Sequence, residues 1–185
     1  MNPILYRLKQ LDVYIGRLLQ KCFVKASGLF AVTSMTSRLD AVVIPADGSD
    51  PYDLGLLSIR VVTNAGVAFM GTDFNAGTTE ITNMNFHDSG TGVAAENVTD
   101  TDLGTPAGPT TRATGTQSNP ASGQYRTVGT ITYTSTLAIT EHGIFNQAAR
   151  GGGSTLWDRS VFSAINVNNG DSIQFTYTLT INAGG

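Results

Sequence analysis

SIQFTYTLTI, residues 172–181, is the stretch whose reading decides the fold. Ile173, Phe175, Tyr177, Leu179 and Ile181 alternate with Gln174, Thr176, Thr178 and Thr180. A period of two sends all five apolar side chains to one face of a strand and leaves the threonines on the other. Just upstream, Asn168-Asn169-Gly170-Asp171 is a tight-turn sequence. The same alternation runs through 125–140, with Ile131, Tyr133, Leu137 and Ile139 on one side. Shorter runs at 56–63, 66–71, 79–86, 143–146 and 155–165 read as further strands. No helical period of useful length follows residue 27. Strands joined by Gly-rich turns, without helices, predict an all-β antiparallel sandwich. Gly151-Gly152-Gly153 lacks the lysine and helix start of a phosphate loop and reads as a hairpin connection. Pairing about that hairpin would bring Glu141 beside Arg159, a cross-strand ion pair expected to be worth at most about 1 kcal/mol.

The sandwich is expected over 61–185, with its own core. Residues 29–60 read as a connector with a short strand or two, broken by the turn signal Asp47-Gly48-Ser49-Asp50-Pro51. Residues 1–28 differ in kind. Asn2 can cap a helix and Pro3 suits its first turn. Ile4, Leu8, Leu11, Ile15, Leu18 and Cys22 then recur at alternating spacings of four and three, which is one face of a helix. Arg7, Arg17, Lys21 and Lys25 lie off that stripe. Three packings suit it: on its own domain, on a protein neighbour or second copy, or on a membrane surface. Its width favours a protein neighbour or a copy of itself.

Charge divides the same way. Over 185 residues the net charge is −3, but residues 1–38 carry +5 and residues 39–185 carry −8. All three lysines fall in the first 25 residues. Such a split points to two parts with different partners. Only 14% of the residues are charged, against 41% hydrophobic, so much of the surface is Thr, Ser, Asn and Gly. A single cysteine, Cys22, permits no internal disulfide and no zinc site built on several thiolates, in keeping with assembly in a reducing cytoplasm. No apolar run is long enough to span a membrane, and charges interrupt every candidate signal-peptide core.

Between residues 87 and 124 lies a long Thr/Gly-rich loop, the length of a binding loop or an arm to a neighbour. It opens on His87-Asp88-Ser89, the three residue types of a hydrolytic triad. Consecutive strand residues face opposite ways, which argues against a triad. Glu141 and His142 could join His87 and Asp88 at a metal, but no known ligand spacing appears and no cofactor is expected. Glu96, Asp100 and Asp102 lack the glycine and spacing of an EF-hand. Tyr6, Tyr14 and Phe23 among basic residues are explained by packing, so nucleic acid is not the expected partner.

VTNAGVAFM (62–70), NFHDSGTGVAAENVTDTDL (85–103), RATGTQSNP (112–120), ITEHGIF (139–145), LWDRSVFSAINVNNGDSIQFTYTLT (156–180) and INAGG (181–185) together resemble small virion structural proteins of tailed bacteriophages. The run 139–185 is the most specific part, and ITEHGIF with INVNNGDSIQFTYTLT also looks like β modules of tail fibres and baseplates. This resemblance implies a virion component assembled in the host cytoplasm, without enzymatic activity. Glu141, His142, Gly143, Phe145, Trp157, Asp158 and Arg159 become its structural motif, with Trp157 expected to be buried. A capsid decoration (cement) protein on the major capsid protein shell fits small size, a sandwich body and an arm. A tail, neck or fibre subunit is the alternative, and a carbohydrate-binding adhesin module the third reading. Low surface charge leaves sheet edges unguarded, so a homo-oligomer is expected, a trimer by the threefold symmetry of shell sites.

Overall fold

A computed structural model describes residues 34–59, 61–76 and 81–183. The helical arm read at 1–28, with Ile4, Arg7, Leu8, Leu11, Ile15, Arg17, Leu18, Lys21 and Lys25, lies outside the described residues. What is described is an antiparallel two-sheet sandwich. The front sheet holds β1 (Ser34–Ile44), β2 (Tyr52–Ser58), β6 (Thr116–Ser118), β7 (Gln124–Thr132) and β10 (Ser172–Asn182), in the order β2-β1-β10-β7-β6. The back sheet holds β3 (Val61–Val62), β4 (Phe86–Gly90), β5 (Ala113–Thr114), β8 (Leu137–Phe145) and β9 (Leu156–Val167), in the order β3-β9-β8-β4-β5.

β10 occupies the middle of the front sheet. Ile173, Phe175, Tyr177 and Leu179 are buried, as its alternation requires, while Ile181 emerges at the frayed end. They meet Leu39, Ala41 and Val43 of β1 on one side and Ile131 of β7 on the other. Ile139, Ile144, Trp157, Ile165 and Val167 supply the back-sheet half of the core. The turn at 168–171 closes β9 onto β10, with Gly170 in the left-handed region at φ 92° and Asp171 accepting the Asn168 and Ala46 N–H groups.

Four sequence expectations are corrected. First, 29–60 is not a connector over its described part, and the sandwich does not begin at 61. β1 pairs with β10 along eleven residues, from Ser34↔Asn182 to Ile44↔Ser172, and β2 covers its other edge. The inward set Ser37, Leu39, Ala41 and Val43 does alternate, but a serine and an alanine disguise it. Second, 66–71 is helix, not strand: α1 spans Asn64–Ala76. A short apolar run cannot be assigned by periodicity alone. Here Thr63 caps the helix, its Oγ1 accepting the Gly66 N–H at 3.0 Å. Third, 79–86 is no single strand. Its described part is a 3-10 turn at Ile81–Asn83 followed by the start of β4. Fourth, the long run 125–140 is two strands, β7 and β8, and the loop read at 87–124 is shorter, because β4 takes its start and β5 and β6 lie in its second half.

Candidate functional site

The back sheet is covered on both faces. The front sheet packs on one, and the loop 91–112 lies over the other. β4, β8 and β9 therefore carry polar side chains that are buried whichever way they point.

On the inner face, His87 Nδ1 stands 3.0 Å from His142 Nε2, and His87 Nε2 stands 3.0 Å from the Thr127 hydroxyl of β7. His142 in turn lies on the Phe175 ring, 4.4 Å between centroids. Glycine makes room for the pair: a Cβ at Gly129 would come within 2.5 Å of His87 Cδ2. Burial pulls His87 down to about 3 and His142 well below the usual histidine range, the second also by its neighbour's charge. Both rings are neutral at pH 7, with one proton held between the facing nitrogens. Nearby, the Ser89 hydroxyl and the Tyr133 phenol are 2.9 Å apart.

Asp158 forms the second inner cluster. The Trp157 indole donates to Tyr177 Oη at 2.9 Å, and Tyr177 Oη donates to Asp158 at 3.3 Å. Ser160 donates to the other carboxylate oxygen at 3.4 Å. Burial pushes Asp158 up to about 7, against the hydroxyls of Ser37, Tyr177 and Ser160, which favour its charged form, while Glu96 adds to the rise. Trp157 is buried, as expected.

On the outer face, two anionic centres grip the loop. Glu141, fully buried, accepts N–H bonds from Gly92 (2.9 Å), Gly104 (2.9 Å) and Thr105 (2.7 Å), and from Arg159 Nε and Nη2 (2.9 and 2.8 Å). Burial alone would raise its pKa, but the N–H groups of Thr105 and Gly104, then Arg159 and Gly92, outweigh it and hold the carboxyl below its ordinary value. Arg159 also reaches Asp100 at 2.8 Å. The expected Glu141–Arg159 pair is therefore present across β8 and β9, diagonally, with Gly143 opposite Arg159. It is buried, not exposed, so the small value of a surface pair does not apply.

Asp88 is the second centre. It accepts from Arg112 Nε at 3.2 Å and from Arg150 Nε and Nη2 at 2.9 and 2.7 Å. The Arg112 guanidinium lies 3.5 Å above the Phe145 ring and donates to the carbonyls of Gln147 and Ala149. Beside it Leu103 packs on Phe145 and Leu156. The loop is thus pinned by two buried ion clusters with an apolar plug between them.

All seven motif residues lie on β8 and β9, but on two faces. His142, Trp157 and Asp158 serve the inner face, while Glu141, Gly143, Phe145 and Arg159 serve the outer. His87, Asp88 and Ser89 do not converge: Asp88 faces the loop, and Ser89 engages Tyr133. Nor do His87, His142, Asp88 and Glu141 form a ligand set, because the carboxylates and imidazoles lie on opposite sides of the sheet. No three metal-ligating side chains cluster among the described residues. No helix among them is long and apolar enough to cross a membrane.

Arg112, Arg150 and Thr127 were not singled out by sequence, and Asp88 and Tyr133 were read there in other roles, yet a signal existed. Residues 39–185 hold five arginines and no lysine. Arginine is the cation suited to buried, forked pairing, and three of the five fill that role.

Comparison with protein-family models, with curated proteins and with solved structures finds no match for this chain.

Proposed function

We propose that this chain is a non-enzymatic structural component of a bacteriophage virion, a capsid decoration (cement) protein that binds the major capsid protein shell. One observation carries the reading furthest. The groups on the back sheet that could do chemistry are buried and already engaged: Glu141, Arg159 and Asp88 hold the 91–112 loop, and His87, His142 and Asp158 are bonded within the sandwich interior. That is the construction of a rigid body. The part that this reading assigns to other molecules is the segment before β1, whose sequence has an apolar stripe and basic charge opposite an acidic body. A basic segment is steered to an acidic neighbour, and burial of the stripe then supplies the affinity. Residence in the virion, a homo-oligomeric state with a trimer favoured, and the absence of a nucleic-acid partner belong to the same proposal.

Purified particles test it. The chain should co-purify with them in copy number comparable to the major capsid protein. A few copies per particle would instead favour the tail, neck or fibre reading. The Leu11→Asp, Ile15→Asp double variant should be lost from particles at every salt concentration. Absence of the wild-type chain from particles would overturn the virion reading altogether.

A further inference from the structure

α1 is apolar nearly all round, which is the composition of a helix covered on both sides. Only one side is covered among the described residues. Phe69 and Met70 pack on the core, and Gly66 touches β9 so closely that a Cβ there would lie 2.8 Å from the Trp157 carbonyl oxygen. The outer side carries Val67, Gly71 and Phe74 at helical spacings of four and three. Val67 is 43% exposed and Phe74 is 85% exposed. A side chain at Gly71 would meet nothing within 4 Å, so the stripe has a flat floor between two apolar posts. Val98, 46% exposed, extends it past the N-terminus of α1, where the Asn64 N–H donates to the Val98 carbonyl at 2.8 Å.

We propose that the N-terminal stripe of the same chain, residues 4–22, seats on this outer face of α1 while the protein is free of its assembly. Three observations select that occupant. The first is spacing: Val67, Gly71 and Phe74 cover about 10 Å of helix, and the 4-3-4 recurrence of Ile4, Leu8, Leu11 and Ile15 in the sequence repeats the same interval. The second is reach. β1 enters the sandwich at the end where β2 leads to β3 and α1. Leu39 pairs with Ser58, the last residue of β2, and Ser37 bonds Asp158, the partner of Val62. Residues 23–33 can bridge up to about 35 Å when extended. A tether this short gives the chain's own segment a high effective concentration over that of a second copy. The third is charge. Asp73 lies on α1 next to Phe74, and in the sequence Arg7, Arg17, Lys21 and Lys25 accompany the stripe.

This inference goes beyond the virion reading, since it concerns the unassembled chain, and it fails separately. Cysteines placed one at a time at Val67, Gly71 and Phe74 in the full chain are oxidised against native Cys22. The same three are then oxidised against Leu8→Cys or Ile15→Cys with Cys22→Ala. At least one pair should close within a single chain on a non-reducing gel, and Thr132→Cys on β7 should close with none. In parallel, Phe74→Asp should make trypsin cleavage at Arg17, Lys21 and Lys25 roughly tenfold faster, with Phe74→Leu restoring the slow rate. The Phe74→Asp variant should still unfold in one cooperative transition, because the side chain takes no part in the described core. Cross-links only between chains would assign the face to a second copy. Phe74→Asp cleaved at the wild-type rate, or lost from particles that retain the wild type, would equally overturn the inference. In none of these cases is the virion reading touched, which stands or falls on wild-type retention.

Discussion

Replacing Glu141 with glutamine changes one atom and tests the outer face of the back sheet. Five N–H groups converge on the carboxylate, three from the loop backbone and two from Arg159. Glutamine keeps one acceptor oxygen and turns the other position into a donor. Whichever way the amide turns, its NH2 faces main-chain N–H groups: Gly104 with Arg159 on one side, Gly92 and Thr105 on the other. Arg159 is left buried with Asp100 as its remaining carboxylate partner. Breaking one side of a buried pair costs about 3–5 kcal/mol. For a domain of this size that lowers Tm by about 6–20 °C. Urea unfolding monitored by Trp157 fluorescence measures the loss, and limited proteolysis should show new cleavage within 91–112. The double variant Glu141→Leu, Arg159→Met removes both charges but leaves three loop N–H groups without an acceptor, at about 1–3 kcal/mol each. It too should fall well below wild type. Glu141→Gln within about 1 kcal/mol of wild type, with an uncut loop, would refute the pinning role.

Asp158→Asn tests the inner cluster through pH. The folded-state pKa of about 7 exceeds the unfolded value, so protonated Asp158 favours the fold at low pH, and that contribution is lost as pH rises toward 7. The variant should therefore gain about 2–3 kcal/mol on wild type between pH 5 and pH 8 in urea titrations. The opposite sign holds for His87 and His142. Their depressed pKa values mean stability present above about 6.5 and lost as pH falls toward 3, so the wild-type midpoint should drop steadily below pH 6. Gly129→Ala should cost about 1–3 kcal/mol in the same assay, because its methyl group meets the His87 ring. A chain beginning at Val61 should fail to give a cooperative transition, since β10 would lose β1 along its length, whereas a chain beginning at Ser34 should unfold cooperatively.

Legibility followed how plainly each residue reported its surroundings. β10 was legible because large apolar residues alternate with threonines. Glu141 and Arg159 were legible because the glycine hairpin set their strands side by side. β1 was hidden by Ser37 and Ala41, inward residues that look neither apolar nor large. α1 was hidden because a short apolar run bounded by glycines has no period of its own. The grip of Asp88 on Arg112 and Arg150 joins residues far apart in sequence, and nothing local announces such a pairing. Of the candidate motif, the resemblance marked the residues, and the glycine hairpin placed Glu141 near Arg159. Only the fold revealed that the back sheet is buried twice over and that its polar residues divide between two faces.

The hold on the 91–112 loop has an evolutionary corollary. A carboxylate that binds main-chain N–H groups is indifferent to the side chains those residues bear, except where bulk intrudes. Here it intrudes at Gly90 and Gly92, whose missing Cβ atoms would collide with Glu141. Between Val93 and Thr99 the ties again run through the main chain: the Ala94 carbonyl accepts from Arg159 and the Val98 carbonyl from Asn64. An outward side chain there, such as that of the exposed Val93, can drift in sequence while these anchors keep their places, so the surface the loop presents can change without a change in how the protein folds.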